Sequence, residues 1–387
     1  MRSRRNDKLC VAQVQGQAER LLLAVFGASD PGYKCTLGVL AKVVILAAGR
    51  MLSLFAACLQ LGNLSDQAVR DGLRKALPKR WRRLQEKLNA QLLEPLPRKT
   101  RRRRRALALD LHEIPYHGQA KGKQVVGRKP KAGTSKFFAY ATVCLVERGH
   151  RYTLGYVWVR KGDAMVTVLE QLLACVRHSG VPIKHLLLDR GFFSVAVMAW
   201  LQAQNVPFLM PVAFRGRRPR RGRRSTGLRA FLRQHAGWYR YTHRGQGQTV
   251  TTSLCVAYKS YRHHRTGQRR HKKLVYAAWK VRGTPVEIRE AYRKRFGIEA
   301  SYRQLGQARI RTSTRDPLLR LFFVGVALLL RNLWALLLWL MTGEQNEPRQ
   351  QRLAKRIQFK GLLFTLARKV ETHLGIILAT TQDVTGE

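Results

Sequence analysis

Apolar residues follow different spacings along the chain, and each spacing predicts a different kind of element. In the first hundred residues they recur every three to four positions, which predicts a long helix over 36–60 and a second helix over 66–77. From 106 to 212, short apolar runs alternate with amphipathic stretches, which predicts strands separated by helices. From 285 to about 374 the spacing is helical again. The pattern therefore predicts helical ends around a central α/β part.

The central part has a definite predicted order: strand, hairpin, helix, strand, helix, strand. These elements are expected at 106–111, 136–160, 165–177, 184–188, 194–204 and 206–212. Strand-like runs follow at 238–242, 249–258 and 274–281, with a basic loop expected at 259–273. The order fits a mixed sheet with packed helices, as in the ribonuclease-H arrangement, better than a fully parallel doubly wound sheet. The predicted fold class is α/β, a ribonuclease-H-like mixed sheet with flanking helices, a β-rich insertion and an N-terminal helical domain.

Shifts in composition divide the chain into five predicted segments. They are an N-terminal helical domain (1–97), the first part of the ribonuclease-H-like domain (98–213), a basic β-rich insertion (214–284), a C-terminal helical part of that domain (285–345) and a helical tail (346–387). The helix at 66–77 exposes basic side chains. It belongs either to a helix-turn-helix that contacts DNA or to a small bundle with a solvated basic face.

Residues 318–341 are apolar enough to raise the question of a membrane span. Arg320, Arg331 and Asn332 interrupt the stretch. A span needs about 20 nearly unbroken apolar residues, and a central arginine costs at least about 2.5 kcal/mol. Asp316 and Pro317 form a capped helix start that is common in soluble proteins. We therefore expect a buried core helix and no membrane partner.

The charge of the chain narrows the class of its partner. Its 387 residues include 73 Lys and Arg against 22 Asp and Glu, a formal net charge of +51. Such a charge opposes compaction and fits a polyanion, most simply nucleic acid, with an acidic membrane surface as the lesser alternative. The six cysteines are far apart and form no CxxC pair, which predicts buried thiols in a reducing compartment. The N-terminus lacks an apolar signal core, so we expect a cytoplasmic protein associated with the nucleoid.

Three carboxylates occupy positions where an isolated acid is unexpected. Asp110 ends the apolar run 106–109, Asp189 ends the run 186–188, and Glu299 lies in a segment with helical spacing. Acids at the ends of neighbouring strands, with a third supplied by a helix, can hold two divalent metal ions for phosphoryl transfer. We expect the three carboxylates to converge.

The segment around Glu299 carries an unusual stripe. Tyr292, Arg295, Glu299 and Tyr302 are spaced by three, four and three residues, which places them on one face of a helix. A structural helix would fill such a face with Leu and Ile, so the stripe suggests contacts to metal and phosphate. The alternative is a solvated helix with an Arg295–Glu299 pair.

These residues resemble a known signature. Tyr292-x2-Arg295-x3-Glu299 matches the Y-x2-R-x3-E-x6-K pattern of insertion-sequence transposases of the type-four DDE group. The text at 187–192 resembles the second-aspartate block of that family, and 107–110 resembles the first. A β-rich insertion between the second aspartate and the glutamate is a further family trait.

The resemblance covers roughly residues 100 to 340 and implies a DDE transposase of a bacterial or archaeal insertion sequence. Asp110, Asp189 and Glu299 would be its catalytic and metal-binding residues, holding two Mg²⁺ ions for which Mn²⁺ can substitute. Water would first free a 3′-hydroxyl, which would then attack target DNA. The expected partners are the terminal inverted repeats and target duplex. Pairing two ends implies a homodimer or a larger assembly.

Further DNA contacts are expected from basic and aromatic residues outside the acidic set. They are Tyr292, Arg295, Arg303, Arg309, Lys136, Arg217, Arg218, Arg220 and Arg221. The last four belong to an arginine-rich run, which is expected to contact the phosphate backbone.

The chain departs from the signature at one position, where Gly306 replaces the final lysine. Arg303 and Arg309, one turn on either side, are candidates for the missing charge. The departure favours an alternative, a non-catalytic DNA-binding protein derived from a transposase, whereas the three intact acids oppose it. A basic RNA-binding protein is a third reading, but no aromatic RNP-type strand is present.

Overall fold

The computed structural model describes residues 11–27, 30–32, 35–62, 64–119, 122–146, 151–217, 224–245, 247–296, 304–342 and 356–374. Contacts divide the chain into two compact units. The helical unit comprises 1–96, 148–152 and 302–387, and the sheet unit comprises 97–147 and 153–301. The five-segment division expected from the sequence stays a prediction.

Helices and strands are numbered in chain order. The helices are α1 (Val11–Leu23), α2 (Leu37–Arg50), α3 (Leu54–Leu61), α4 (Asp66–Ala76), α5 (Trp81–Leu93), α6 (Met165–Ser179), α7 (Val195–Ala203), α8 (Pro285–Arg293), α9 (Pro317–Thr342) and α10 (Phe359–His373). The strands are β1 (Arg105–Pro115), β2 (Val126–Lys131), β3 (Thr134–Leu145), β4 (Thr153–Val159), β5 (Ile183–Leu188), β6 (Phe208–Pro211), β7 (Gly237–Gly245), β8 (Gln248–Arg262) and β9 (Arg269–Trp279).

Several helices of the helical unit begin at a side-chain cap. The hydroxyls of Thr36, Ser53 and Ser65 accept hydrogen bonds from backbone N–H groups three residues further on, at the starts of α2, α3 and α4. These bonds satisfy donors that the first turn of a helix leaves without a partner. These helix starts therefore depend on local sequence. The single helix expected over 36–60 was wrong, because Met51 takes a left-handed conformation and the Ser53 cap starts a separate helix, α3.

Helix α9 is long and apolar enough to cross a membrane, and 89% of its apolar 18-residue stretch is buried inside the protein. The carboxylate of Asp316 accepts the N–H of Leu318 at 2.9 Å, so the expected capped start is present. The polar side chains of α9 have protein partners: Arg331 donates to the carbonyl of Arg151 at 2.7 Å, and Asn332 to that of Leu92 at 2.9 Å. The helix thus lies in the core of the helical unit, as expected.

The sheet unit is built on one mixed sheet. In the described residues its order is β2-β3-β1-β5-β6-β9-β8-β7, and β4 also pairs with β3. Strand β1 is antiparallel to β3 and parallel to β5, and β6 is parallel to β5. Helix α6 packs on β3 and β4, α7 on β7 and β8, and α8 on β8. Strand β5 ends at Leu188, opposite Leu109 of β1, whereas β1 continues to Pro115. Asp110 therefore lies within its strand and not at the strand end that the sequence predicted, although it stands at the same level of the sheet as Asp189.

The predicted β-rich insertion extends this same sheet, because β9 pairs with β6. The expected basic loop at 259–273 was wrong. Strands β8 and β9 continue through it as a paired hairpin, down to Arg262 opposite Arg269. The dense charge resembles a solvated loop, yet backbone pairing carries both strands through it.

The helix expected to carry Tyr292, Arg295, Glu299 and Tyr302 without a break is interrupted after Arg293. Helix α8 ends at Arg293 and tightens into a 3-10 turn, Lys294–Phe296. Gly297, which follows, is a poor helix former. Residues 297–303 lie outside the described part of the chain.

Candidate active site

Asp110 lies on β1, an interior strand of the sheet between β3 and β5. Residues Leu107 to Asp110 of β1 are buried, since β3 covers one edge of the strand and β5 the other. Asp110 itself is 8% exposed. One of its carboxylate oxygens, Oδ1, accepts the N–H of Leu111 at 2.9 Å, which orients the group. The strand therefore presents a buried, oriented carboxylate.

Asp189 is the first residue after β5. The parallel register pairs Leu109 with Leu188, so the next residue on each strand is an aspartate. After Asp189 the chain turns into a short 3-10 helix, Arg190–Phe192, and the carbonyl of Asp189 accepts the N–H of Phe192 at 3.1 Å. The turn leaves the Asp189 side chain 40% exposed. Asp189 is thus the more open of the two carboxylates.

Arg295 reaches both carboxylates from outside the sheet. Helix α8 starts at a capping box formed by Thr284 and Glu287, and the 3-10 turn at its end carries Arg295. The Nη2 atom of Arg295 donates to Oδ1 of Asp110 at 2.9 Å and lies 3.2 Å from Oδ1 of Asp189. The Arg295 side chain is only 5% exposed. One guanidinium therefore stands between two acids.

Tyr292 fixes the end of α8 against the sheet. Its hydroxyl donates to the carbonyl of Leu188 at 3.1 Å, one residue before Asp189. Its ring packs against Tyr276 of β9, with ring centroids 5.0 Å apart. Burial raises the pKa of the Tyr292 phenol, which keeps it a neutral donor. Tyr292 thus ties together the elements that carry Asp189 and Arg295.

The two carboxylates fit a divalent metal ion. Carboxylate oxygens are the ligands that Mg²⁺ and Mn²⁺ prefer. An oxygen of each aspartate already faces the same cationic nitrogen, so a cation there would have both within reach. The third expected ligand, Glu299, lies outside the described residues, and the described ranges contain no cluster of three His, Cys, Asp or Glu that could hold a metal.

Tyr292 and Arg295, which the sequence predicts to contact DNA, both lie inside the site. Both residues are buried. Their spacing of three residues places them on the same side of the chain at the end of α8, where the Arg295 guanidinium carbon lies 5.8 Å from the centre of the Tyr292 ring. It carried no signal for the partners, because Asp110 and the carbonyl of Leu188 are more than a hundred residues away in sequence.

The other expected contact residues are dispersed. Lys136 is exposed on β3, six residues before the partner of Asp110, Thr142, or about 20 Å along the strand. Arg217 is exposed, and its N–H donates to Thr226 at 3.1 Å. Arg309 is exposed and belongs to the helical unit, as does Gly306. The remaining four expected contact residues lie outside the described residues: Arg218, Arg220, Arg221 and Arg303.

Comparison with known proteins gives two matches of different kinds. A family model described as "Transposase DDE domain" matches residues 101–333, a range that contains Asp110, Asp189 and Arg295. Among solved structures, a piggyBac transposase in a synaptic complex with hairpin DNA is similar, with a TM-score of 0.55 and 10% sequence identity. The match covers 94% of this chain and 78% of that chain. No curated protein matches the sequence.

At 10% identity the structural likeness concerns the fold alone. It confirms the predicted fold class, a mixed α/β sheet with flanking helices.

Proposed function

Because this chain belongs to the transposase DDE domain family, and is thus a DNA transposase, we propose that it cuts DNA at the terminal inverted repeats of a bacterial or archaeal insertion sequence and joins the freed 3′-hydroxyl ends to target DNA. The observation that supports this is the convergence of Asp110, on β1, and Asp189, directly after the parallel strand β5, on one guanidinium. Two carboxylates against one cation leave a net negative charge, which suits metal binding.

In this proposal Asp110 and Asp189 hold Mg²⁺, or Mn²⁺ in its place, and Glu299 completes the set. Two bound ions would activate the attacking hydroxyl and stabilise the leaving oxygen. Asp110, oriented by the N–H of Leu111, supplies the fixed ligand, and Asp189 faces solvent on the side from which DNA approaches.

Arg295 has two roles in the proposal. In the free protein it pairs with both Asp110 and Asp189 and keeps their side chains in place. When the carboxylates act as metal ligands, the guanidinium becomes available for a DNA phosphate, which its planar fork fits well. Tyr292 is a positioning residue, since it acts by tying α8 to the carbonyl of Leu188.

We assign the chain, more narrowly, to the type-four group with the Y-R-E-K signature, on the spacing of Tyr292, Arg295 and Glu299. Gly306 in place of the signature lysine favours one competing function, a non-catalytic DNA-binding protein derived from a transposase. The piggyBac structure is described as a synaptic complex with hairpin DNA. By analogy, this chain would act as a homodimer or larger assembly when it pairs two ends.

The test is Mg²⁺-dependent nicking of a labelled inverted-repeat end, taken from the DNA that flanks the gene. Asp189→Asn should abolish nicking, because it removes a metal ligand while preserving size. Binding of the same end should stay within about tenfold, or about 1.4 kcal/mol, because a carboxylate does not grip a polyanion. Asp66→Asn is the matched control: Asp66 also pairs with an arginine, Arg70, but lies on α4 of the helical unit. It should nick normally.

The result that would contradict the proposal is tight binding of the cognate end by the wild-type protein with no nicking in Mg²⁺ or Mn²⁺. The non-catalytic function would then be the correct one.

A further inference from the structure

Strands β8 and β9 continue beyond their neighbours in the sheet. Strand β7 pairs with β8 only as far as Val256, and β6 pairs with β9 only from Tyr276 onward. The N–H of Val212 still donates to the carbonyl of Val275 at 3.0 Å. In the described residues from Tyr258 and Lys273 outward, β8 and β9 pair only with each other, ending at Arg262 opposite Arg269. We call residues 258–273 the basic arm. It is a two-stranded ribbon attached to the sheet at one end.

The charge of the basic arm is entirely positive. Residues 259–273 contain seven lysines and arginines, three histidines and no acid. No ion pair joins an arm cation to an acid anywhere in the described ranges. Moreover, the register sets Lys259 opposite Lys272 and Arg262 opposite Arg269. Like charges placed directly opposite each other destabilise a ladder, so the arm carries a cost that an anionic partner would relieve.

The cations point to both faces of the ribbon. Side chains alternate along a strand, so Lys259, Lys272 and Arg270 share one face. The other face carries Arg262, Arg269 and Lys273. A flat anionic surface would use only one face. A groove with phosphates on each side would use both.

The base of the arm is anchored and its tip is closed. Lys273 donates to the carbonyl of Gln234 at 2.8 Å, and Arg289 of α8 to that of Tyr258 at 2.7 Å. At the tip, the N–H of His263 donates to the carbonyl of Gln268 at 2.9 Å, and Gly267 takes a φ of 64°. Residues 264–272 are exposed. The arm is therefore shaped before any partner binds.

We propose that the basic arm enters the major groove of duplex DNA as a β-ribbon and contacts phosphates of both strands. The major groove, about 12 Å wide and 8.5 Å deep, admits a two-stranded ribbon. Residues 259–262 alone rise about 13 Å, enough to cross that depth. The tip has no apolar side chain for a lipid surface. The proposal rests on the proposed function, since it names how the same DNA partner is held.

The test compares two fourfold variants of the full chain. The arm variant combines Lys259→Gln, Arg262→Gln, Arg269→Gln and Lys272→Gln. The control removes four exposed cations of the helical unit, with Arg82→Gln, Arg83→Gln, Arg368→Gln and Lys369→Gln. Binding of a fluorescent 20-base-pair DNA duplex is measured by anisotropy against KCl concentration, in EDTA so that no cleavage occurs.

For four lost phosphate contacts, the slope of log K against log salt should become less negative by about 3.6. The control should change it by less than half that. Protection of guanine N7 from dimethyl sulfate, a major-groove probe, should disappear only in the arm variant. The melting temperature of the arm variant should not fall, because its substitutions remove like charges that face each other across the ribbon. Binding of double-stranded RNA should change less than threefold, because the A-form major groove is too narrow to enter.

Equal slope changes in the two variants would overturn the proposal. The proposal would also be overturned if the arm variant lost as much affinity for double-stranded RNA as for DNA, or if its N7 protection survived. These outcomes are independent of the Asp189→Asn nicking assay. An arm variant that binds DNA normally refutes only the arm, whereas a wild-type protein that binds its end without nicking it refutes the proposed function.

Discussion

Arg295→Gln is expected to destabilise the sheet unit strongly. The Arg295 side chain is 5% exposed, and its removal takes from Asp110, whose side chain is 11% exposed, the guanidinium that pairs with it. Removing one partner of a buried ion pair costs about 3–5 kcal/mol. The pair with Asp189 adds little, because Asp189 is 40% exposed and water can replace the guanidinium. We therefore expect a loss of about 3 kcal/mol in the free energy of unfolding.

The assay is urea unfolding at pH 7, followed by fluorescence and circular dichroism, with Arg293→Gln as the matched control. Arg293 lies two residues earlier, carries the same charge and pairs with Glu290, but its side chain is 72% exposed. Its replacement should leave the midpoint unchanged, because exposed ion pairs contribute little. A control that destabilises as much as Arg295→Gln would show that the effect is one of net charge.

A double-mutant cycle isolates the ion pair. Asp110→Asn combined with Arg295→Gln removes both charges, so the double variant should be less destabilised than the sum of the single variants. Addition of 10 mM MgCl₂ should raise the stability of Arg295→Gln more than that of wild type, because Asp110 and Asp189 then bind the cation without a competing guanidinium. Strictly additive single effects, or an Arg295→Gln midpoint equal to that of wild type, would refute the reasoning.

Two further predictions concern packing and pH. Gly49→Ala on α2 should lower the free energy of unfolding by about 1–3 kcal/mol, because a Cβ there would lie 2.7 Å from the carbonyl oxygen of Leu363 on α10. Gly38→Ala on the same helix is the control, since the nearest atom to its Cβ would be 3.9 Å away. Thermal unfolding should show this control to be neutral or stabilising. Burial lowers the pKa of His243 in the folded protein to about 4. Between pH 6.5 and 4 the unfolded chain therefore binds a proton that the folded protein does not. The free energy of unfolding should fall by about 2–3 kcal/mol as the pH falls through that window. His243→Gln, which can keep the 2.9 Å hydrogen bond to Thr252, should flatten this part of the stability profile, and an unchanged profile would contradict the assignment.

The sequence by itself determined the local elements. The apolar runs that Asp110 and Asp189 end are strands β1 and β5, since a short apolar run needs burial on both faces. Ser65, Asp316 and Pro317 mark helix starts, because caps depend only on residues within one turn. The mixed character of the sheet also followed, because it depends on the order of strands and helices along the chain.

Tertiary structure alone decided which of these elements meet. Nothing local shows that β1 and β5 are paired in parallel with Leu109 opposite Leu188, although that register is what makes Asp110 and Asp189 neighbours. The place of Arg295 between them depends on how α8 packs on β8, a contact between distant parts of the chain.

The basic arm is a second feature that only the tertiary structure decided. Its charge predicted a solvated loop, yet pairing between β8 and β9 carries the ladder out to Arg262 and Arg269. A charge pattern reports only what each side chain prefers alone. Backbone hydrogen bonds to a partner strand are a property of two segments, so their contribution becomes visible only when both strands are in place.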